Sequence, residues 1–193
     1  MMTLEVPEGR NRILLHSCCA PCSGAVIECL MENGFKPGIF FSNSNIVPYD
    51  EYELRKHELI RYAQGFGLEV IDDDYDHRAW LECIRGLERE PERGARCMEC
   101  FKFRLLRAAK CAAANGYDVL TTTLASSRWK DLEQVNAAGQ WACNIVADGP
   151  IFWPQNWRKG GLQPRRNEII REQNFYNQNF CGCEFSNTQV VAK

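Results

Sequence analysis

The chain has 193 residues, 45% of them hydrophobic and 11% aromatic, with a formal net charge of −2 at pH 7. That suffices for one sizeable core and suggests no second unit of independent size, so one domain is expected over residues 1–193, with 148–193 as an irregular C-terminal segment. No run approaches the roughly 18 apolar residues of a membrane span, and the charged stretch Met1 to Arg12 lacks the apolar core of a secretion signal. The expected compartment is therefore the reducing cytoplasm, with no membrane partner, where eleven cysteines are not a disulfide framework.

Ile13-Leu14-Leu15 reads as a short buried strand, and from Pro21 onward Val26, Ile27, Leu30 and Met31 recur at helical spacing. Between them lies His16-Ser17-Cys18-Cys19-Ala20-Pro21-Cys22-Ser23, three thiols within five residues at a strand-to-helix turn. Open α/β sheets place their chemistry at such turns. The unpaired N–H groups and positive dipole end of a helix start favour a thiolate or an anionic metal cluster there. Cysteine is often a small buried hydrophobe, and Cys29, Cys83, Cys111 and Cys143, single among apolar neighbours, take that reading. A Cys-Cys-x-x-Cys run gains nothing in packing and points to metal or redox chemistry.

Asn33-Gly34 ends the first helix, and Gly38–Ser42 reads as a second strand. The loop that follows offers Asn43 and Asn45 either to a substrate or to turn closure. A polar helix over 50–65, with Tyr52, Leu59, Ile60 and Ala63 inward, precedes a third strand at 68–71 and a helix at 76–87. This alternation predicts an α/β fold with a mainly parallel sheet flanked by helices. Cys97-Met98-Glu99-Cys100 then opens a long helix to about Ala114, whose inner stripe is Met98, Phe101, Leu105, Ala109 and Ala112. Cys97, Cys100, Arg104, Arg107 and Cys111 form the neighbouring stripe. A Cys-x-x-Cys at a helix start is a dithiol or half of a metal site. With thiols already at 18, 19 and 22, a site shared by both turns is the economical reading, and four thiolates suit zinc or an iron–sulfur cluster equally.

A fourth strand is expected over 119–124, leading into a polar loop with Thr123 and Ser126 at the ligand edge of the sheet. A helix over 130–140 and a last strand over 142–147 follow. The loop around Ile151 to Lys159 interleaves aromatics with Arg158 and Lys159, which suits either nucleotide binding or fastening of the loop to the body. After a short helix at 167–172 comes Cys181-Gly182-Cys183. Its glycine permits a tight turn, and so close a pair makes only a strained, readily reduced disulfide, fit for a two-electron relay or for a metal. Basic residues cluster at 93–110 and 158–171, which fits a polyanionic substrate or a solvated helix face. Arg104, Arg107, Arg158 and Lys159 are the expected phosphate contacts.

Leu15-His-Ser-Cys-Cys-Ala-Pro-Cys22, Asn45-Ile-Val-Pro48 with Glu51-Tyr52 and Arg55-Lys56, Arg96-Cys97 with Cys100-Phe101, Thr122-Thr-Leu124, Trp157-Arg-Lys159, and Tyr176 and Gln178 with Cys181-Gly-Cys183 occur in one order. In this set the chain resembles the QueH family of epoxyqueuosine reductases, from about residue 12 to 186. It departs from the family pattern at Asn156 and Asn177, where Asp and Arg are expected. The resemblance implies an α/β sandwich related to nucleotide-binding sheets and cobalamin-independent reduction of epoxyqueuosine in tRNA, the last step of queuosine biosynthesis. It implies a 4Fe-4S cluster on Cys18, Cys19, Cys97 and Cys100 and a redox-active pair at Cys181 and Cys183. A lone adjacent iron would take Cys22, Cys181 and Cys183, and a separate electron donor would be needed. Two other classes share parts of this pattern. A zinc-bound, non-catalytic RNA-binding module leaves Cys181-Gly182-Cys183 without a role. An iron–sulfur tRNA-thiolating enzyme needs a Ser-Gly-Gly-x-Asp-Ser type loop where this chain has cysteines.

Overall fold

Ile13, Leu14 and Leu15 are fully buried because β1 (Ile13–Ser17) is the central strand, flanked by β2 (Gly38–Phe41) and β4 (Val119–Thr122). In the computed structural model of the chain, residues 2–7 and 9–186 are described. The expected C-terminal segment therefore lies partly outside the described residues. With β3 (Val70–Asp72) and β5 (Ile151–Phe152) at the edges, the sheet has the order β3-β2-β1-β4-β5, and every pairing is parallel. Parallel strands covered on both faces read as continuous apolar runs, as β1, β2 and the start of β4 do.

The helices are α1 (Ala20–Glu32), α2 (Tyr49–Gln64), α3 (His77–Cys83), α4 (Ala95–Ala114), α5 (Leu132–Ile145) and α6 (Leu162–Glu172). α1 packs against α2 and α6, and α4 against α3 and α5. Of the inner stripe expected on α4, Phe101, Leu105, Ala109 and Ala112 are buried and Met98 is half-buried. No helix among the described residues is long and apolar enough to cross a membrane.

The expected last strand at 142–147 is instead the end of α5, and the last strand is Ile151–Phe152. Val135, Ala138, Gly139, Ala142 and Cys143 are all buried at helical spacing, so one inner face continues through the supposed strand. Gly139 lets the β5 ring approach, since a Cβ there would sit 2.1 Å from the Phe152 ring. The strand expected over 119–124 stops at Thr122 and becomes a short 3-10 helix, Thr123–Ser126. The helix expected over 76–87 ends at Cys83. α6 starts at Leu162, five residues earlier than expected, with Pro164 in its first turn, where the missing N–H costs no intrahelical bond.

Strand order reverses between β1 and β4, which opens a crevice over their C-terminal ends. Three turns meet there. The Cys18 N–H donates to Thr123 Oγ1 at 3.1 Å, and Asn43 Nδ2 donates to the Ser17 carbonyl at 3.0 Å. His16, on β1, lies 2.7 Å through Nδ1 from Thr122 Oγ1 and 3.1 Å through Nε2 from the Ser42 carbonyl. A carbonyl only accepts, so Nε2 carries the proton and Nδ1 accepts from the threonine hydroxyl. Burial, aided by the Arg104 charge, lowers its pKa to about 3. His16 is thus a neutral cross-link between β1, β4 and the loop after β2.

His16→Phe is expected to remove both hydrogen bonds, leaving the buried Thr122 hydroxyl without its acceptor while the Ser42 carbonyl keeps Arg104, and to cost about 1–3 kcal/mol of stability, read from the denaturant midpoint. Below its unfolded value of 6.5, the histidine gains a proton only when the chain unfolds. Its contribution is complete above about pH 6.5 and is lost as pH falls toward 3. The H16F variant should show a flatter acid limb than the wild type.

Candidate redox and metal centre

Seven of the eleven cysteines line one cavity of about 360 Å³ above that crevice: Cys18, Cys19, Cys22, Cys97, Cys100, Cys181 and Cys183. Chain segments more than 150 residues apart are thus brought together. Cys29, Cys83, Cys111 and Cys143 lie outside its lining. The sulfurs of Cys18, Cys19 and Cys22 are all within 4.8 Å of one another, with Cys18 and Cys19 at 3.9 Å. Among the described residues this trio is the group of three or more ligand side chains gathered so closely, with Cys97 and Cys100 contributed to the same cavity from α4. α1 begins at Cys19 without a side-chain cap and presents free N-terminal donors near these thiols, whereas at the start of α4 the Ala95 N–H donates to Glu90 Oε2 at 3.2 Å.

The helix dipole alone does not set the thiol acidities. Hydrogen bonds from Cys19 and Cys22, then the charges of Lys130 and Arg104, hold the Cys18 thiol well below its usual pKa, despite burial. The same coupling pushes Cys19 well up and raises Cys22 to about 11. Within the trio the coupling therefore favours Cys18 over Cys19 and Cys22 as the thiolate. Burial raises Cys97, and raises Cys100 to about 12. At both α4 thiols burial is the largest influence, opposed by the Arg93 N–H at Cys97 and by the Arg104 charge at Cys100.

Further donors face the sulfurs. Thr123 Oγ1 lies 3.4 Å from Cys18 Sγ, and Gln178 Nε2 donates to Cys19 Sγ at 2.9 Å. Burial works to lower the pKa of Lys130, but the thiol charges of Cys181, Cys18 and Cys22 outweigh it and hold the lysine above its usual value. Arg96 and Arg104 are each 2% exposed. Arg104 donates through Nε to the Ser42 carbonyl at 3.2 Å and through Nη2 to Asn43 Oδ1. Arg96 reaches the Glu88 and Glu90 carbonyls and, at 3.2 Å, Ser186 Oγ. Among the described residues neither has a carboxylate within ion-pair distance. Two buried cations with only neutral partners need an anion, and the cavity they line is where one would sit.

The Cys181-Gly182-Cys183 segment closes the cavity as a held turn. The Gly182 carbonyl accepts from the Val47 N–H at 3.0 Å, and Arg55 Nη1 donates to the Cys181 carbonyl at 3.1 Å. Arg55 is itself fixed by Glu51 at 2.6 Å. Gly182 has φ +97°, and a Cβ there would meet Ile46 at 3.0 Å and Arg55 at 3.3 Å, so the position demands glycine. Cys183 packs with Trp80, Ile84 and Cys100.

The residues expected to touch substrate divide. Asn43, Asn45 and Arg104 line the cavity, whereas Thr123 and Ser126 lie beneath it, with Ser126 Oγ donating to the Thr123 carbonyl. Arg107, Arg158 and Lys159 lie outside the cavity lining. Arg107 is paired with Asp73, Arg158 donates to the Lys130 carbonyl at 2.8 Å, and Lys159 is exposed. The four arginines and lysines expected to hold phosphate therefore do not form one surface. The aromatic loop fastens itself to the body, since Trp153 and Trp157 are buried and meet edge to face at 5.8 Å. Lys130 and Trp80 carry no local sequence signal for the site. One follows a polar loop and the other sits in a short helix, and only the tertiary fold brings them to the thiols.

An open parallel sheet with thiols from three separated segments at its switch point, ringed by cations, defines an α/β protein built for thiolate redox or metal chemistry. Residues 13–189 match the family described as epoxyqueuosine reductase QueH. Epoxyqueuosine reductases QueH from Histophilus somni and Acinetobacter baylyi are 48% and 46% identical to the chain, each over 95% of it and over 75% and 84% of their own lengths. The QueH from Thermotoga maritima is 33% identical over 90% of this chain and 89% of its own. The chain belongs to the epoxyqueuosine reductase QueH family and is an oxidoreductase.

Proposed function

We propose that the protein reduces epoxyqueuosine in tRNA to queuosine, independently of cobalamin, at the seven-thiol cavity. The observation that carries this reading is the pairing of those thiols with two buried arginines that have no carboxylate partner among the described residues. A structural zinc site uses four ligands and is closed. Seven thiols on an open cavity exceed that need.

The site suits an anionic iron–sulfur cluster on Cys18, Cys19, Cys97 and Cys100. Helix starts, buried guanidinium groups and N–H donors to sulfur compensate its charge, and Asn45 Oδ1, Gln178 Oε1 and Arg96 Nε are buried in the cavity wall without a partner. Such a cluster, with or without an adjacent iron, supplies electrons one at a time. Turning an epoxide into an alkene breaks two C–O bonds, takes two electrons and two protons, and releases water. Two thiols that become a disulfide release two electrons and two protons, so a Cys181/Cys183 dithiol balances the reaction. A separate reductant then restores the pair. Lys130, beside Cys181, is placed to hold a proton near the oxygen that leaves, and Asn45 offers a buried polar atom to the nucleoside.

Protein purified without oxygen should be brown and contain about four iron and four sulfide per chain, with a small excess of iron if a lone ion is present. Supplied with a low-potential one-electron reductant, it should convert epoxyqueuosine in tRNA to queuosine, read by nucleoside analysis. Stoichiometric zinc with no sulfide, recovered under the same handling, would falsify the cluster. Absence of queuosine from the reduced, iron-loaded protein would overturn the activity.

A further inference from the structure

The most exposed large apolar side chain among the described residues is Trp129, at 64%, and it stands at the rim of the thiol cavity. Its backbone is not loose. Arg93 Nε donates to the Trp129 carbonyl at 2.9 Å, Arg93 Nη2 to the Arg128 carbonyl at 3.3 Å, and Arg158 Nη2 to the Lys130 carbonyl at 2.8 Å. Arg93 is itself tied down by Gln134 Nε2, 2.7 Å from its carbonyl. The Arg128 guanidinium lies 5.0 Å from the indole centroid, yet most of the ring still faces solvent. Three side chains thus fix a loop whose tip holds an aromatic face that the fold does not use.

We propose that Trp129 is a stacking platform for the nucleobase next to the one that enters the cavity. This rests on the reading of the cavity as a site for a modified nucleoside within tRNA. A base drawn into a pocket leaves its neighbour with one face unstacked, and an aromatic side chain at the mouth restores that contact for any base. The charges fit the same occupant. Arg93, Lys130 and Arg166 also line the cavity, and Arg128 flanks the indole. Glu92 is the carboxylate in that lining. A flanking base over Trp129 would put its phosphate among these cations. Recognition would then span at least two nucleotides, with no demand on the identity of the second base.

The experiment titrates iron-loaded wild type, Trp129→Ala and Trp129→Phe with an unmodified tRNA, following tryptophan fluorescence and the dissociation constant. Wild-type fluorescence should be quenched on binding, and the quenching should shrink in W129F because the reporter is gone. Affinity should fall about ten- to a hundred-fold in W129A and recover most of its value in W129F, since a phenyl ring still stacks. Iron content and melting temperature equal to wild type would show that the cavity is intact. Equal affinity in all three proteins would overturn the platform, as would a loss in W129A accompanied by a change in oligomeric state, which would make the indole a self-association contact. Because unmodified tRNA is the probe, the result is independent of turnover. A wild type that binds as described but never forms queuosine would leave the platform standing and overturn only the proposed reaction.

Discussion

Alanine at Cys18, Cys19, Cys97 or Cys100 is expected to remove most of the iron and all reductase activity together. Alanine at Cys181 or Cys183 is expected to remove activity, by at least about a hundred-fold, while most of the iron stays. The division follows from where each sulfur is held. The first four lie at or near the starts of α1 and α4, where the helix dipole favours an anion, and Cys18 is already the trio's preferred thiolate. Cys181 and Cys183 lie on a turn fixed by main-chain contacts to Val47 and Arg55, so their sulfurs can change state without unfolding the wall behind them. Iron and sulfide content of each anaerobically purified variant reports the cluster, and nucleoside analysis of tRNA reports activity. Cys22 is the informative fifth position. It belongs to the tight trio, so if Cys22→Ala loses as much iron as Cys18→Ala, the ligand set includes all three sulfurs of that turn and the assignment to Cys97 and Cys100 must be revised. If Cys183→Ala strips all iron, or still makes queuosine at the normal rate, the pair is not the redox partner.

How much of this was legible in the sequence depended on whether local pattern or tertiary contact decides each feature. β1 and α4 were readable because one is a continuous apolar run and the other keeps a 3.6-residue apolar stripe for five turns. The short edge strand β5 was not. Its two residues have no period to read, and the apolar Ala142 and Cys143 just before it belong to the buried face of α5. The thiols that gather were readable from their spacing, since a cysteine run at a turn has no packing motive. Sulfur acidities were not, because coupling within the trio and desolvation at Cys97 and Cys100 arise from tertiary neighbours that sequence position does not reveal. The basic residues were the least legible of all. Arg104 and Arg107 are three residues apart on one helix, yet the first is buried over the cavity and the second is spent on Asp73.

Arg104→Met is expected to have opposite consequences for the empty and the loaded protein. The guanidinium is almost fully buried, its described hydrogen-bond partners are the Ser42 carbonyl and the Asn43 side chain, and its charge lowers both the His16 and Cys18 pKa values. In the iron-free protein, methionine leaves Asn43 Oδ1 without its donor, at a cost of about 1–3 kcal/mol, whereas the Ser42 carbonyl keeps His16 Nε2. It also removes the larger burden of a buried cation without a carboxylate, so the net change in melting temperature should be small or positive. In the iron-loaded protein the same cation compensates the charge of thiolates and cluster. Its loss should speed iron release to a chelator by at least about ten-fold and shift the reduction potential downward, because an added electron is no longer countered by a nearby positive charge. Arg104→Lys should retain part of both properties, since it keeps the charge but not the planar fork that spans Ser42 and Asn43. Thermal melts of the iron-free proteins, chelator kinetics and redox titration of the loaded ones distinguish these outcomes. A large destabilisation of iron-free R104M with unchanged iron retention would mean that Arg104 serves only to bind Ser42 and Asn43, and that the anion it faces is not the reason for its burial.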